Sequence, residues 1–338
     1  MNTLRIGTAS AAHGEKIAGL LPVAEHLDGS EENIPVVVVN GAEEGPRLWV
    51  IGCEHGDEML ATATLIEFVS QVNPAKVSGS IVVLPVLNST AFNVKLRYSP
   101  LDHYNMALGW PGIENGWLAQ QVTHKVFRLM SEQADFVINM HNGLEHTMNI
   151  APAVICYYED KERYREKLQA FVESFLFRRV VHWFSERKEE HVAKRGGSMM
   201  AALYEKGIPA FVPEVGPDVK TGLPGGLKGL FNAMKFARML PGKPQVLKGY
   251  DVIRDNIHMF PTRGGRFIPR VKLGQRVKEG DVLGTIKGYD GNVSETIIAP
   301  ADGEVLVLWK APLIGSGDES AVDLGLYEPF RKPWPREG

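Results

Sequence analysis

His55 and Glu58 stand three residues apart in Gly52-Cys-Glu-His-Gly-Asp-Glu58, a glycine-flanked turn that follows an apolar run. An imidazole and a carboxylate presented by one such turn can converge on a single cation. Alone the pair says little, because a chain with 10 histidines will hold a chance His-x-x-Glu, and a surface histidine is an equally good account. In Asp135-Phe-Val-Ile-Asn-Met-His141 an apolar strand runs straight into a second histidine. Two histidines and one glutamate delivered by strand–turn units match the three-ligand set of a catalytic zinc site, which keeps its fourth position for water. Taken singly, His141 reads as a buried histidine bonded to backbone. Ile208-Pro-Ala-Phe-Val-Pro-Glu-Val-Gly216 ends a third apolar strand on Glu214. Beside a metal-activated water such a carboxylate could take a proton and pass it to a leaving amine. By itself it could equally be a strand-end acid paired with a lysine.

The surrounding pattern supplies the elements that would position these groups. Apolar runs at 34–39, 48–51, 81–84, 136–138, 153–155 and 210–212 predict strands. Helical spacing predicts helices over 58–72, 117–130, 162–175 and 198–206, with Asp57 as N-cap of the first. Strands alternating with helices imply an α/β sheet covered on both faces, with functional groups at the carboxyl ends of strands. After about Gly249 the pattern changes to short strands at 266–268, 281–286, 296–298 and 304–308, separated by glycine turns and lacking a helix. That predicts a small all-β barrel or sandwich. The chain of 338 residues therefore divides into an N-terminal extension (1–33), a catalytic domain (34–244) and a β domain (245–338).

Composition excludes several classes. A net charge of −3 without a basic stripe argues against nucleic acid as a partner. The clusters Arg178-Arg179 and Arg187-Lys188 are short and offset by acids, as on a solvated face. Two cysteines cannot build a disulfide framework or a four-cysteine zinc site. No apolar run reaches the length of a membrane helix or signal-peptide core, so the expected setting is cytoplasmic with no membrane partner.

The motifs Gly52-x-x-His55-Gly-Asp-Glu58, Met140-His141-Asn-Gly143 and Pro209-Ala-x-x-Pro-Glu214-x-Gly216 together resemble the succinylglutamate desuccinylase/aspartoacylase family of the zinc carboxypeptidase-like clan. So does the stretch Asn88-Ser-Thr-Ala-Phe, then Arg97-Tyr-Ser-Pro-x-Asp102-x-x-Asn105, ending in Trp110-Pro-Gly112. The likeness spans roughly residues 34–240, with the motifs in the family's order. It implies a zinc-carboxypeptidase-like mixed sheet flanked by helices, with one zinc ion per chain held by His55, Glu58 and His141. It further implies Glu214 as base and proton shuttle, Arg97 as the cation that polarises the scissile carbonyl, and Asn105 and Asn88 as substrate-loop residues.

Two positions depart from the family. Met106 follows Asn105 where the resemblance calls for an arginine that clamps a substrate carboxylate, and methionine cannot make that contact. Arg178, Arg179, Lys194 and Arg195 are the substitutes considered, each also readable as a surface residue. Asn139 stands two before His141 where the family carries aspartate; its amide oxygen would accept from the imidazole and bind metal more weakly. The C-terminal segment resembles a biotinyl/lipoyl barrel-sandwich domain, but Asn292 occupies the place of the carrier lysine. That implies a structural or gating role, with Tyr289 read as an exposed turn residue. His103 and His146 are candidates for lining the pocket, whereas His13, His26, His124, His182 and His258 read as ordinary core or surface residues.

The expected function is zinc-dependent hydrolysis of an N-acyl amino acid or a related small N-acylated amine. Open beside it are a carboxypeptidase or amidase whose substrate lacks the usual carboxylate, and a non-catalytic ligand-binding protein on the same scaffold. A homo-oligomer is compatible with the sequence.

Overall fold

Alternate residues of the segment Leu48–Ile51 enter two different cores in the computed structural model, which describes residues 3–143, 148–158, 162–184 and 197–331. Leu48 and Val50 pack into one cluster, Trp49 and Ile51 into another, and all four are fully buried. A strand that is apolar on both sides must be covered on both faces. That fixes the plan of the domain.

The N-terminal strands are β1 (Leu4–Ile6), β2 (Ala9–Ala11), β3 (Glu15–Glu25), β4 (Glu31–Asn40) and β5 (Glu43–Gly52). Then follow α1 (Met59–Gln71), β6 (Ser78–Leu84), α2 (Ser89–Val94), α3 (Leu118–Gln133) and β7 (Phe136–Met140). Next are β8 (Met148–Ile150), β9 (Ala153–Tyr158), α4 (Glu162–Ser174), β10 (Arg179–Phe184), α5 (Met199–Tyr204), β11 (Ala210–Glu214) and α6 (Val219–Phe236). The remainder is all β: β12 (Tyr250–Met259), β13 (Gly265–Pro269), β14 (Arg276–Val277), β15 (Val282–Lys287), β16 (Val293–Ile298), β17 (Gly303–Trp309), β18 (Leu313–Ile314) and β19 (Val322–Arg331).

One mixed sheet runs β14-β17-β19-β12-β10-β9-β11-β7-β5-β6-β4-β3, with β8 attached to β17. Helices α1, α4 and α6 cover one face, burying Leu65, Phe68, Phe171 and Leu230. Helix α3 covers the other with Val122, Val126 and Met130, joined by Ile6, Ala9 and Ala11 of the N-terminal hairpin. At its centre β5, β7 and β11 are parallel neighbours, paired Leu48 to Phe136 and Val137 to Ala210. Their carboxyl ends therefore open on the same edge.

The C-terminal strands are less separate than their sequence suggests. β12 pairs in parallel with β10, so the large sheet continues from the α/β region into the β region. β14, β17 and β19 extend it, while β16-β15-β13-β18 form a second antiparallel sheet. Leu283, Ile286, Val305 and Leu324 pack between the two.

Candidate metal centre and cavity

The turn after β5 carries three acids and a histidine into the protein. Cys53 adopts a left-handed backbone with φ 54°. Gly56 lies where any Cβ would stand 2.2 Å from the Ala91 carbonyl carbon, so only glycine lets the turn pass against α2. The Gly56 amide donates to the Arg97 carbonyl at 3.3 Å, tying the turn to the Arg97 loop. The predicted cap at Asp57 does not form: Glu58 holds the N-cap position and makes no side-chain cap bond. Asn142, from the loop after β7, accepts from the Ala61 amide at 3.0 Å instead. Glu58 is thereby left to face the histidines.

Ligand atoms of His55, Glu58 and His141 lie within 4.8 Å of one another, and all three residues are buried. Glu58 spans the two imidazoles, with Oε1 at 2.7 Å from His55 Nδ1 and Oε2 at 2.9 Å from His141 Nδ1. The outer nitrogens have their own partners. His55 Nε2 faces Asn105 Oδ1 at 3.2 Å, and His141 Nε2 faces Glu54 Oε2 at 3.0 Å. The Ala107 amide donates to the same Asn105 oxygen, which fixes it as an acceptor. Both Nε2 atoms must then carry hydrogen, so each Nδ1, which faces Glu58, is the nitrogen that would bind a metal once it gives up its proton. Two nitrogens and one carboxylate suit zinc or a similar divalent cation.

Glu54 is the residue that sequence reading missed. It is 2% exposed and also accepts from Trp110 Nε1 and from Asn139 Nδ2, the latter at 2.8 Å. Asn139 is therefore not the acceptor for His141; it donates to Glu54, and its own Oδ1 has no hydrogen-bond partner. The adjacent positions of Glu54 and His55 in sequence hid this role, since a residue beside a ligand gives no spacing signal.

Glu214 ends β11 beside His141. The His141 amide donates to the Pro213 carbonyl at 3.0 Å, and the Val215 amide to the His141 carbonyl at 2.9 Å. Burial, reinforced by the Glu58 charge, pushes the Glu214 carboxyl up to about 7, against the opposing pull of His141 and Arg97. Its Oε2 is buried without a hydrogen-bond partner. Burial opposes charge on Glu58 and His141 too, yet their mutual attraction wins. Glu58 is held well below the usual carboxylate range, and His141 is raised well above an ordinary histidine. Arg97 Nη1 reaches Glu58 Oε1 at 3.2 Å, while its Nε has no partner. Arg97 and Glu214 line a cavity of about 420 Å³ whose other walls come from β8, β9, β10, β12, β17 and β19.

The catalytic-domain profile described as succinylglutamate desuccinylase/aspartoacylase matches residues 44–236, more than half of the chain. The chain belongs to that family. Among curated proteins it is similar to the N-alpha-acetyl-L-2,4-diaminobutyric acid deacetylase of Halomonas elongata, at 24% identity over 80% of this chain and 77% of the relative. Among solved structures it resembles a succinylglutamate desuccinylase from Silicibacter sp. TM1040, with a TM-score of 0.82 and 23% identity, covering 93% of this chain and 95% of that one. The product-bound ectoine utilization protein EutE (DoeB) from Ruegeria pomeroyi has a TM-score of 0.81 and 23% identity, covering 96% and 97%. These likenesses extend through the C-terminal β region, so the whole architecture is shared.

Within this family member the remaining expectations fall as follows. Asn105 lies on His55 and Asn88 caps α2, its Oδ1 accepting from Ala91 at 3.3 Å; neither lines the cavity. Met106 is buried in the core with Trp110. Arg178 is exposed, as read, and reaches Asp251 from there, whereas Arg179, read with it as a solvated charge, is mostly covered and binds Glu304 across the sheet. Lys194, Arg195 and His146 lie outside the described residues. His103 does not line the cavity, whereas His182 and His258, read as uninformative, do. Tyr289 is 95% exposed at its turn.

Proposed function

We propose that this chain is a zinc-dependent amide hydrolase that removes the acyl group from an N-acyl amino acid or a related small N-acylated amine. The observation that carries this reading is Glu214: a carboxyl raised to about 7, with an unpartnered oxygen, adjoining His141 and facing the cavity. A base poised near neutral pH is what proton transfer from water to a leaving amine requires. His55, Glu58 and His141 would hold one zinc ion per chain, which supplies Lewis acidity and lowers the pKa of the attacking water.

Glu214 takes the proton of that water as oxygen adds to the amide carbon. Arg97 donates to the carbonyl oxygen, where negative charge develops. Glu214 then delivers the proton to the amide nitrogen, the C–N bond breaks, and a carboxylic acid and a free amine leave. A cysteine nucleophile is not a competing reading, because burial pushes both Cys53 and Cys156 up to about 12. The Halomonas elongata relative is named for an acetylated diamino acid, which makes acetylated amino acids the first substrates to try.

Residues 34–244 carry the chemistry in this reading, and 245–338 shape access to it. Unpaired cysteines fit a cytoplasmic setting. Glu214→Gln tests the assignment: the variant should bind zinc like the parent and lose at least about 10²-fold in hydrolysis. Retained hydrolysis would remove Glu214 from the reaction.

A further inference from the structure

The two imidazoles of the metal centre each lean on a neighbour, and both neighbours are tied to one short stretch of chain. His55 Nε2 faces Asn105 Oδ1 at 3.2 Å. The same oxygen accepts from the Ala107 amide at 3.1 Å, so Asn105 also caps a single 3-10 turn over Met106–Leu108. Just past that turn, Trp110 donates its indole N–H to Glu54 Oε1. The other oxygen of Glu54 meets Asn139 Nδ2 and His141 Nε2, at 2.8 and 3.0 Å. A carboxylate turns easily about its terminal bond, so Oε2 stays on His141 only if Oε1 is held. Without the indole, Oε1 would be a buried anionic oxygen with no donor among the described residues. The stretch is itself fastened down. Met106 is 2% exposed, Trp110 is fully buried, and both belong to the core that α3 builds with Val122 and Val126. The Trp110 backbone bonds in both directions to Gly197, amide to carbonyl at 3.0 Å and carbonyl to amide at 2.7 Å. A ring locked by packing and a backbone locked by hydrogen bonds keep the indole N–H in one place.

We propose that residues 105–110 brace the metal centre, with Asn105 orienting His55 directly and Trp110 orienting His141 through Glu54. Trp110 is thus a positioning residue for metal binding. The proposal rests on the metal site of the hydrolase reading above. An outer acceptor strengthens a histidine ligand by fixing its ring and tautomer, and Glu54 can do so only while the indole holds it. The brace also gives Met106 a reason. That position faces the core, where an apolar side chain holds the turn down and an arginine would bury an unpaired charge.

The experiment measures zinc affinity, by competition with a chelating indicator, for the parent, Trp110→Phe, Glu54→Gln and the double variant. No turnover is needed, so a failure to hydrolyse amides would leave the result standing. Trp110→Phe should weaken zinc binding about 10-fold. In the Glu54→Gln background the same change should cost less than about 2-fold. There the amide oxygen serves His141 and the NH2 group faces the indole, so no hydrogen bond is left to lose. A ring that merely fills the core would weaken binding equally in both backgrounds. That result overturns the brace alone, as does parental affinity in Trp110→Phe, whereas a parent that binds no zinc defeats the metal site and the brace with it. Should Trp110→Phe fail to fold, the indole N–H signals in a nuclear magnetic resonance spectrum give a second readout. Of the six tryptophans, one should show an indole proton displaced downfield by the carboxylate. That signal should shift when zinc binds and return upfield in Glu54→Gln. Absence of any indole signal that responds to both changes would overturn the proposal.

Discussion

A carboxylate that orients a metal-binding histidine can be delivered from more than one place in the chain. Here Glu54 does it for His141, and Asn139 serves as a donor to Glu54. Glu54→Gln should weaken zinc binding by about 10- to 100-fold in competition with a chelating indicator, because His141 loses its charged acceptor. Asn139→Asp should also weaken binding, since it sets a second carboxylate against Glu54. The double variant Glu54→Gln/Asn139→Asp should recover affinity relative to either single change; strict additivity would show that the pair does not act as a unit. Glu214 makes a pH prediction. Its folded value of about 7 lies above the ordinary 4.5, so the folded metal-free protein binds an extra proton between those limits. Stability should fall as pH rises through that window, by up to about 3 kcal/mol. Denaturant titrations should show that slope in the metal-free parent and a flatter one in Glu214→Gln.

At the scale of elements, the site depends on β5, β7 and β11 being parallel neighbours. The strand positions and their histidine and glutamate ends were legible because fully apolar runs next to glycine turns leave a strong pattern. The connections between them were not. Asp57 looked like the cap of α1 because local sequence favours a carboxylate there, but the acceptor comes from Asn142, 81 residues away from the amide it caps. Long-range capping has no sequence spacing to reveal it. Removing it with Asn142→Ala should cost about 1 kcal/mol and loosen the start of α1. Gly56→Ala should do more, since its Cβ would meet backbone of α2 rather than a movable side chain. A lowered Tm with weaker zinc binding is expected; a variant with parental stability and affinity would mean that the turn can move away from α2 at little cost.

For the molecule as a whole, the sheet that builds the site also carries the C-terminal strands. The sequence reading found four of those strands and the turn-rich composition, but not β12, which joins them to β10. The run Tyr250–Met259 is interrupted by Arg254, Asp255 and Asn256, polar residues that face a cavity and solvent and so mask strand periodicity. Arg179 misled for a related reason: a paired acid 125 residues away is invisible to local pattern. Glu304 is 3% exposed, so Arg179→Ala would leave a buried carboxylate without its cation. A loss of about 3 kcal/mol is expected, read as a lower midpoint in denaturant. The most direct test of the whole account is release of free amine from a panel of N-acetyl amino acids by zinc-loaded, chelator-stripped and zinc-restored protein. The account predicts amine release that disappears on stripping and returns with zinc. Equal release by the stripped protein, or none from any substrate with zinc bound, would contradict it.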